Sequence, residues 1–278
     1  MKKTFLASIL CAALLVLTAC GDSSPTASYG QGEKVDPSLP GDSQTLEAFH
    51  SIEVDVLAAD IQILPGEDWS LSYNLSEKEP LKHFGVEQGT LYVETSFDPS
   101  EHFEHKNWFV TITVPTGTSL DEVELDTLSG NVDVQGFSCD SISLSSTSGN
   151  VTAQDITARE VELDSTSGKI TASNVSANSL EAESISDDLR VEGTFGKLEL
   201  STTSGDIEAT GSISIMGTLE SVSGDIAMSL NHAAALQASS TGTILLNGAQ
   251  VSAPVTMDGG APVKVKSISG DLILQTNS

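Results

Sequence analysis

Pairs of acidic residues, spaced two apart, are the first candidates for chemistry in this chain. They are Glu124/Asp126, Glu162/Asp164 and Glu181/Glu183. Two carboxylates on one face can act as acid and base, or as acid and nucleophile, in glycoside hydrolysis. These pairs are spread along the sequence and few Lys or Arg residues accompany them, so we interpret them as a solvated acidic face. A carbohydrate-active enzyme is the alternative.

Four further aspartates recur at one position, directly after a turn: Asp188, Asp206, Asp225 and Asp271. Carboxylate oxygens are the ligands that Ca²⁺ prefers, so cation binding along these turns is an alternative to plain solvation. The calcium-binding repeat Gly-Gly-x-Gly-x-Asp is absent from the sequence. No metal site is therefore predicted.

Histidine and serine offer little more chemistry. His102 and His105 lie beside Glu101 and Glu104 in "SEHFEHK". A zinc site needs three or four ligands that converge from structured elements, whereas this polar stretch between strands is typical of a solvated loop. The sequence contains no Gly-x-Ser-x-Gly nucleophile motif, phosphate loop or dinucleotide fingerprint. We predict no catalytic residue and no cofactor.

One thiol does have a predicted reaction. Two lysines and an apolar run too short to span a bilayer open the chain, as in a secretory signal. The run ends in "LTAC", which resembles the bacterial lipobox, so residues 1–19 are predicted to be a lipoprotein signal peptide and Cys20 the lipid attachment site. Residues 20–44, rich in Ser, Pro, Gly and Asp, are predicted to form a flexible tether.

The charge of the chain restricts its partners. Its formal net charge is −27, and removal of Lys2 and Lys3 with the signal peptide would make it −29. Such a surface repels nucleic acid and favours cations or basic partners. With Cys11 removed and Cys20 lipidated, Cys139 would remain alone, so no intramolecular disulfide is expected.

The elements that carry these residues follow a short repeat. Ser-Gly pairs, or degenerate forms of them, return after steps of 19, 19, 19, 18, 19, 18 and 28 residues. We call the second residue of each pair the anchor. The anchors are Gly130, Gly149, Gly168, Asp187, Gly205, Gly224, Gly242 and Gly270. Gly130, Gly149, Gly168, Gly205, Gly224 and Gly270 are predicted to be structural turn glycines with positive φ.

Apolar residues alternate on both sides of each anchor, as Val161/Leu163 and Ile170/Ala172 do around Gly168. A period of two predicts two short strands per repeat with one buried face. The hydroxyl residues three and one before each anchor share that parity, so both are predicted to point inward. The fold class is therefore an all-β, single-chain β-solenoid of about eight coils of 18–19 residues. Leucine-rich repeats have a similar period, but their consensus is absent.

The ends of the solenoid are less regular. "SIEVDVLAADIQILPG" fits an upstream coil with Ala59 at the anchor, so residues 45–120 are predicted to hold the first coil and an N-terminal β cap, and residues 121–278 the repeats. The repeat from Gly224 to Gly242 keeps its first strand poorly, because Ala235 and Gln237 occupy the apolar positions. "NGAQVSAPVTMDGGAP" is predicted to be a loop, and the C-terminal edge to be exposed.

The lipobox, "IEVDVLAADIQILPG", "ITVP" and the iterated "SGNVxV/SGDIxA" together resemble the bacterial putative-adhesin domain of unknown function. The resemblance covers about residues 46–278. It implies a β-solenoid at the cell envelope with an adhesion or scaffold role, and it supplies no catalytic residues.

Three hypotheses about function follow. The first is a lipid-anchored cell-surface β-solenoid that acts as a non-catalytic adhesin or envelope scaffold. It would be held at the membrane by its lipid and would bind a surface glycan or protein. The second is a carbohydrate-active β-helix enzyme that depends on Glu162 or Asp164. The third is a structural protein that self-associates through an uncapped C-terminal edge.

Overall fold

The chain is all-β in a computed structural model, which describes residues 43–75, 81–96 and 108–277. None of the described residues forms a helix long and apolar enough to cross a membrane. The strands are β1 (Gln44–Thr45), β2 (Ser51–Val56), β3 (Asp60–Gly66), β4 (Ser70–Asn74), β5 (Leu81–Glu87), β6 (Thr90–Thr95), β7 (Phe109–Pro115), β8 (Ser119–Thr127), β9 (Val132–Gln135), β10 (Ser138–Ser146), β11 (Val151–Gln154), β12 (Thr157–Ser165), β13 (Ile170–Ser184), β14 (Leu189–Thr202), β15 (Ile207–Ser221), β16 (Ile226–Leu230), β17 (Ala234–Ser239), β18 (Ile244–Leu246), β19 (Ala249–Val251), β20 (Val255–Thr256), β21 (Ala261–Ser267) and β22 (Leu272–Thr276).

The predicted repeat becomes a stack of parallel strands. Segments that precede an anchor pair with one another and form a first sheet, as β8, β10 and β12 do. Segments that follow an anchor form a second sheet, as β9 and β11 do. Strands β13, β14 and β15 run through both sheets. The alternating side chains of the two sheets meet in a continuous apolar core, so the β-solenoid prediction is confirmed.

The register of the stack follows the sequence period. Val123, Ile142 and Val161 are direct neighbours across three strands of the first sheet, and all three are buried. The upstream coil is also in register, because Ile52 lies opposite Val123 and Ile61 opposite Val132. Each coil therefore buries its apolar residues against the coil above and the coil below.

Strands from the excursion after β3 cover the first end of the stack. β6 pairs parallel with β2, and β7 pairs parallel with β3, so together they add a layer before the first coil. Beyond that layer the direction reverses: β5 is antiparallel to β6, β4 is antiparallel to β7, and β1 is antiparallel to β4. A solenoid needs such a cap because its end coil would otherwise expose apolar surface and unpaired strand edges.

The other end of the stack does not follow chain order. β21 lies between β15 and β17, and β22 lies between β16 and β18. The last coil in sequence is thus inserted before the coil formed by β17 and β18. The anchors at this end therefore stack in the order Gly224, Gly270, Gly242, which is not the chain order.

Two further expectations about this end are corrected. The segment predicted to be a loop contains β19 and β20, which pair antiparallel with β18 and β17. The C-terminal edge predicted to be exposed is paired on both sides, because β22 lies between β16 and β18. β17 is also well formed: Leu236 and Ala238 are buried where Ala235 and Gln237 were expected. The shift of one residue arises because the turn after β17 is one residue shorter than the other turns.

Candidate functional site

The hydroxyl residue three before each anchor joins neighbouring coils. The Ser146 hydroxyl accepts a hydrogen bond of 2.8 Å from the Gly149 backbone N–H and donates one of 2.8 Å to the Gly130 carbonyl. We call the turn from this residue to the one after the anchor the serine corner. Because both backbone groups are buried there, the hydroxyl satisfies a donor and an acceptor that water does not reach.

The relay repeats along the stack. The residues in this role are Thr127, Ser146, Ser165, Thr202, Ser221 and Ser267, all of them buried as predicted. Ser184 is also buried and accepts from the Asp187 N–H. At the last turn Ser240, not Ser239, donates to Gly270 and accepts from the Gly242 N–H. The prediction for the residue one before the anchor is wrong, since side chains such as those of Ser148 and Ser167 are exposed.

The anchor glycines are required by contact between coils. None of the six predicted turn glycines has a positive φ. A Cβ added to Gly149 would instead lie 1.8 Å from the Gly130 carbonyl oxygen, and one added to Gly168 would lie 1.9 Å from that of Gly149. The prediction that these glycines are needed for a positive φ is therefore wrong. Glycine is needed because a side chain at this position would prevent successive turns from stacking.

The residue after each anchor forms a second ladder. The Asn131 side chain accepts from the Asn150 N–H at 2.9 Å, and the Asp206 carboxylate accepts from the Asp225 N–H at 2.7 Å. Lys169 follows the anchor Gly168, and its side chain has no acceptor oxygen for the next coil. The Asp188 N–H therefore donates to the side chain of its own neighbour, Asp187. The recurring aspartates thus have a structural role between coils, which competes with the cation-binding alternative.

A second corner, six residues after each anchor, was missed from the sequence. Gly136, Asp155, Asn174 and Gly211 occupy it with φ of 78°, 53°, 54° and 129°. Glycine, Asn and Asp are the residues that adopt the left-handed region most readily. The recurrence of these types six residues after the anchors was the available signal.

The outward carboxylates of the first sheet form what we call the carboxylate face, which includes Glu124, Asp126, Glu162, Asp164, Glu181 and Glu183. Asp126 and Asp164 lie two strands apart, with Ser145 between them. Burial, followed by repulsion from Glu124, raises the pKa of Asp126 to about 6. Burial, followed by repulsion from Glu162, raises the pKa of Asp164 to about 7. The predicted pairs are thus brought into columns, and they do not converge on one point.

A shallow trough of about 650 Å³ borders this face. Arg159 lies in it, and its guanidinium contacts Asp140 at 2.8 Å and also Glu160. The hydrogen bond from Arg159 lowers the pKa of Asp140. Because the guanidinium already has two carboxylate partners, the described residues that line the trough include no free cationic group to orient a substrate.

Histidine and cysteine supply no converging cluster. His50 contacts Asp121, and His83 lies near Glu87 at the cap. The His232 ring accepts from the Ile213 N–H at 2.9 Å. No group of three His, Cys, Asp or Glu side chains within the described residues could hold a metal ion. His102, His105 and Cys20 lie outside the described residues.

Cys139 is buried in the first sheet and is a free thiol. Burial, followed by repulsion from Asp140, raises the pKa of this thiol to about 12. The reactive thiolate is therefore scarce at neutral pH. Cys139 packs as a small apolar residue of the core.

A second concavity lies at the second corner of the later coils and has a volume of about 410 Å³. We call it the polar cleft. Gly193 and Gly211 leave its floor without side chains, and Thr210, Ser229 and Gln275 line one side. These three residues are direct neighbours in register on β15, β16 and β22. The cleft thus depends on the insertion of the last coil.

Comparison with known proteins assigns the chain to a protein family. The sequence signature of the family described as Toastrack DUF4097 matches residues 49–275, which is most of the chain. No curated protein gives a significant match to the sequence.

Several solved structures are similar at low identity. A putative adhesin from Parabacteroides distasonis is 14% identical, with a TM-score of 0.46, and the match covers 89% of this chain and 98% of that one. A putative adhesin from Bacteroides fragilis is 19% identical, with a TM-score of 0.42 and coverage of 85% and 95%. At these values, neither protein informs the function of this chain.

Proposed function

The chain belongs to the Toastrack DUF4097 family, and from this premise we propose that it is a lipid-anchored, non-catalytic binding module of the bacterial cell envelope. Cys20 carries the lipid, the segment between Cys20 and β1 forms the tether, and the β-solenoid presents a rigid surface for adhesion or envelope scaffolding. The predicted boundary at residue 44 is one residue too late, because β1 begins at Gln44. Two or more acyl chains would make a lasting anchor, because each buried methylene contributes about 0.8 kcal/mol.

The observation that carries the proposal is the use of the recurring polar residues. Hydroxyls such as that of Ser165 and carboxylates such as that of Asp206 are engaged in hydrogen bonds between coils. Residues of the types that do chemistry thus hold the stack together in regular ladders. A rigid, repetitive framework of this kind favours presentation of a surface over turnover of a substrate.

A carbohydrate-active enzyme is the second candidate, and one observation favours it. Asp164 has a raised pKa and lies near Glu162, as a general acid in a glycosidase would. Asp164→Asn and Glu162→Gln separate the two functions. An enzyme would lose glycan turnover in either variant, whereas a binding module has no turnover to lose.

The hypothesis of self-association required an unpaired C-terminal strand edge, and the structure does not have one at β22. The C-terminal strands β21 and β22 have a parallel partner on each side, and β19 and β20 pair with the coil beyond them. The strong negative charge of the chain also opposes association of identical copies. We therefore do not propose a self-assembling function.

Anchoring and binding are tested together with the full chain and its Cys20→Ala variant. The full chain should incorporate an alkyne-labelled fatty acid, fractionate with membranes and retain isolated cell-wall fragments. Cys20→Ala should lose the label and the membrane association but retain the fragments. Labelling of the variant would contradict the anchor, and saturable binding to no envelope or host-surface material would contradict the binding function.

A further inference from the structure

The polar cleft is formed by a ladder of polar side chains in consecutive layers. Glu192 on β14, Thr210 on β15, Ser229 on β16 and Gln275 on β22 are direct neighbours in register. Neighbouring strands are about 4.8 Å apart. The cleft therefore offers one polar side chain per layer, at a regular spacing along the solenoid axis.

Two of the layers that line the cleft have glycine at the second corner, where neighbouring coils stack too closely for a side chain. A Cβ added to Gly193 would lie 2.0 Å from the Val175 carbonyl oxygen, and one added to Gly211 would lie 1.9 Å from that of Gly193. These positions cannot hold a side chain without movement of the coils. Leu230, at the corner of the next layer, is buried in the core and adds no exposed apolar surface.

Several lining groups have no partner within the protein. In the part of the chain that the structure describes, the side chains of Thr210, Ser229 and Gln275 make no hydrogen bond. This contrasts with the serine corner, where hydroxyls and carboxylates are engaged between coils. Hydroxyl and carboxamide groups with free donors and acceptors suit a ligand that is itself rich in hydroxyls.

The charge of the lining restricts the ligand further. Glu192 is the only charged residue among the described residues that line the cleft. One carboxylate and no Lys or Arg give no attraction for phosphate, sulfate or uronate groups. A carboxylate can accept hydrogen bonds from neutral hydroxyls.

From this geometry we propose that the polar cleft binds an extended, neutral, β-1,4-linked glycan, with one sugar residue beside each layer of the solenoid. The side chains of Thr210, Ser229 and Gln275 hydrogen bond successive sugars. The volume of about 410 Å³ lies within the range of ligand sites in proteins. This assignment rests on the proposed binding function and names its ligand class.

The test uses the full chain in an amine-oxide detergent, which contains no sugar. Cellohexaose and chitohexaose are the probes, and binding is measured by saturation-transfer NMR and calorimetry. Maltohexaose is the comparison, because its α-linked chain coils and does not match a straight ladder. We expect both β-linked probes to bind at least tenfold more tightly than maltohexaose.

Variants locate the site. Thr210→Ala combined with Gln275→Ala should weaken binding of the β-linked probes at least tenfold, without a change in melting temperature, since both side chains are exposed. Gln154→Ala is the matched control, because Gln154 occupies the same position in an earlier coil outside the cleft. Its binding should equal that of the unaltered chain.

Two outcomes would overturn the assignment. One is that neither β-linked probe binds at up to about 10 mM, and the other is that the double variant binds as tightly as the unaltered chain. Cell-wall fragments separate these outcomes from failure of the proposed function. If the chain and the double variant retain fragments equally, the binding module stands and the cleft is not its site. If neither retains any surface material, the proposed function fails as well.

Discussion

Single hydroxyls and single missing side chains determine whether neighbouring coils fit together. At most serine corners, as at Ser146, a hydroxyl bonds its own anchor and the anchor of the neighbouring coil. Each anchor glycine touches the carbonyl of its neighbour. The residue types are repeated because the contact between coils is repeated. A substitution at one corner should therefore weaken strand pairing only between that coil and its neighbours.

Ser146→Ala should lower the free energy of unfolding by about 1–3 kcal/mol, because the Gly149 N–H and the Gly130 carbonyl would be buried without their partner. Chemical denaturation measures the difference. Ser148→Ala is the control: its side chain is exposed at the same corner, so it should change stability by less than about 0.5 kcal/mol. Equal losses in the two variants would refute the hydroxyl relay.

Gly168→Val should cost about 2–4 kcal/mol, since its Cβ would lie 1.9 Å from the Gly149 carbonyl oxygen. The comparison is Gly117→Asn, at a glycine with a φ of 85° and open space around it. Asn tolerates this conformation, so that variant should lose less than about 1 kcal/mol. A Gly168→Val chain that melts like the unaltered one would show that the corners are not tightly stacked.

At the scale of the element, the first sheet brings together carboxylates that are far apart in sequence. Parallel pairing in register places Asp126 and Asp164 in one column. Burial and neighbouring charges raise the pKa of both groups above the usual range for aspartate. The ionised sheet therefore contains repulsion that its strands must overcome.

The raised pKa values predict that the folded protein is less stable at neutral than at weakly acidic pH. A carboxyl whose pKa is raised on folding holds its proton more tightly in the folded state, so stability falls as pH rises from the unfolded value through about 6 to 7. We expect a loss of about 1–2 kcal/mol between about pH 5 and about pH 8, after allowance for solvent screening.

Asp164→Asn should reduce this pH dependence, because the amide carries no charge at any pH in the window. Denaturation midpoints at the two pH values measure the change. Asp258→Asn removes an exposed carboxylate outside the carboxylate face and should leave the profile parallel to that of the unaltered chain. The explanation fails if Asp164→Asn and the unaltered chain lose the same stability between the two pH values.

The whole molecule is a parallel stack with antiparallel strands at both ends. At each end, one layer is out of chain order. β6 and β7 lie outside the earlier β2 and β3, whereas β21 and β22 lie inside the earlier β17 and β18. The final coil therefore joins the main stack to the layer beyond it.

This arrangement predicts an unequal response to truncation. A chain ending at Gly260 lacks β21 and β22, which are the parallel partners of β17 and β18. Hydrogen exchange should then become fast in β17 and β18 while β12 stays protected. A stack in chain order would lose only its last coil, so continued protection of β17 would contradict the insertion. The full-length chain is the reference.

Local features of the sequence were enough to predict the fold class and much of the core. Alternation around each anchor reports which side chains share a face, and a fixed period reports which coils are alike. Both patterns can be read along the chain without knowledge of which segments pair, so the sequence alone assigns Ile142, Leu144 and their equivalents to the interior. The buried hydroxyls, such as that of Ser165, followed from the same parity.

Only the tertiary structure shows which coils are neighbours and why glycine recurs at the anchors. The order of Gly224, Gly270 and Gly242 depends on pairing between distant segments, and a one-residue difference in the turn at Ser240 shifts a whole strand. The requirement for glycine comes from a carbonyl of another coil, which no local pattern reports. The polar cleft likewise joins Ser229 to Gln275, because hydrogen bonding between strands, unlike alternation within one, is indifferent to distance along the chain.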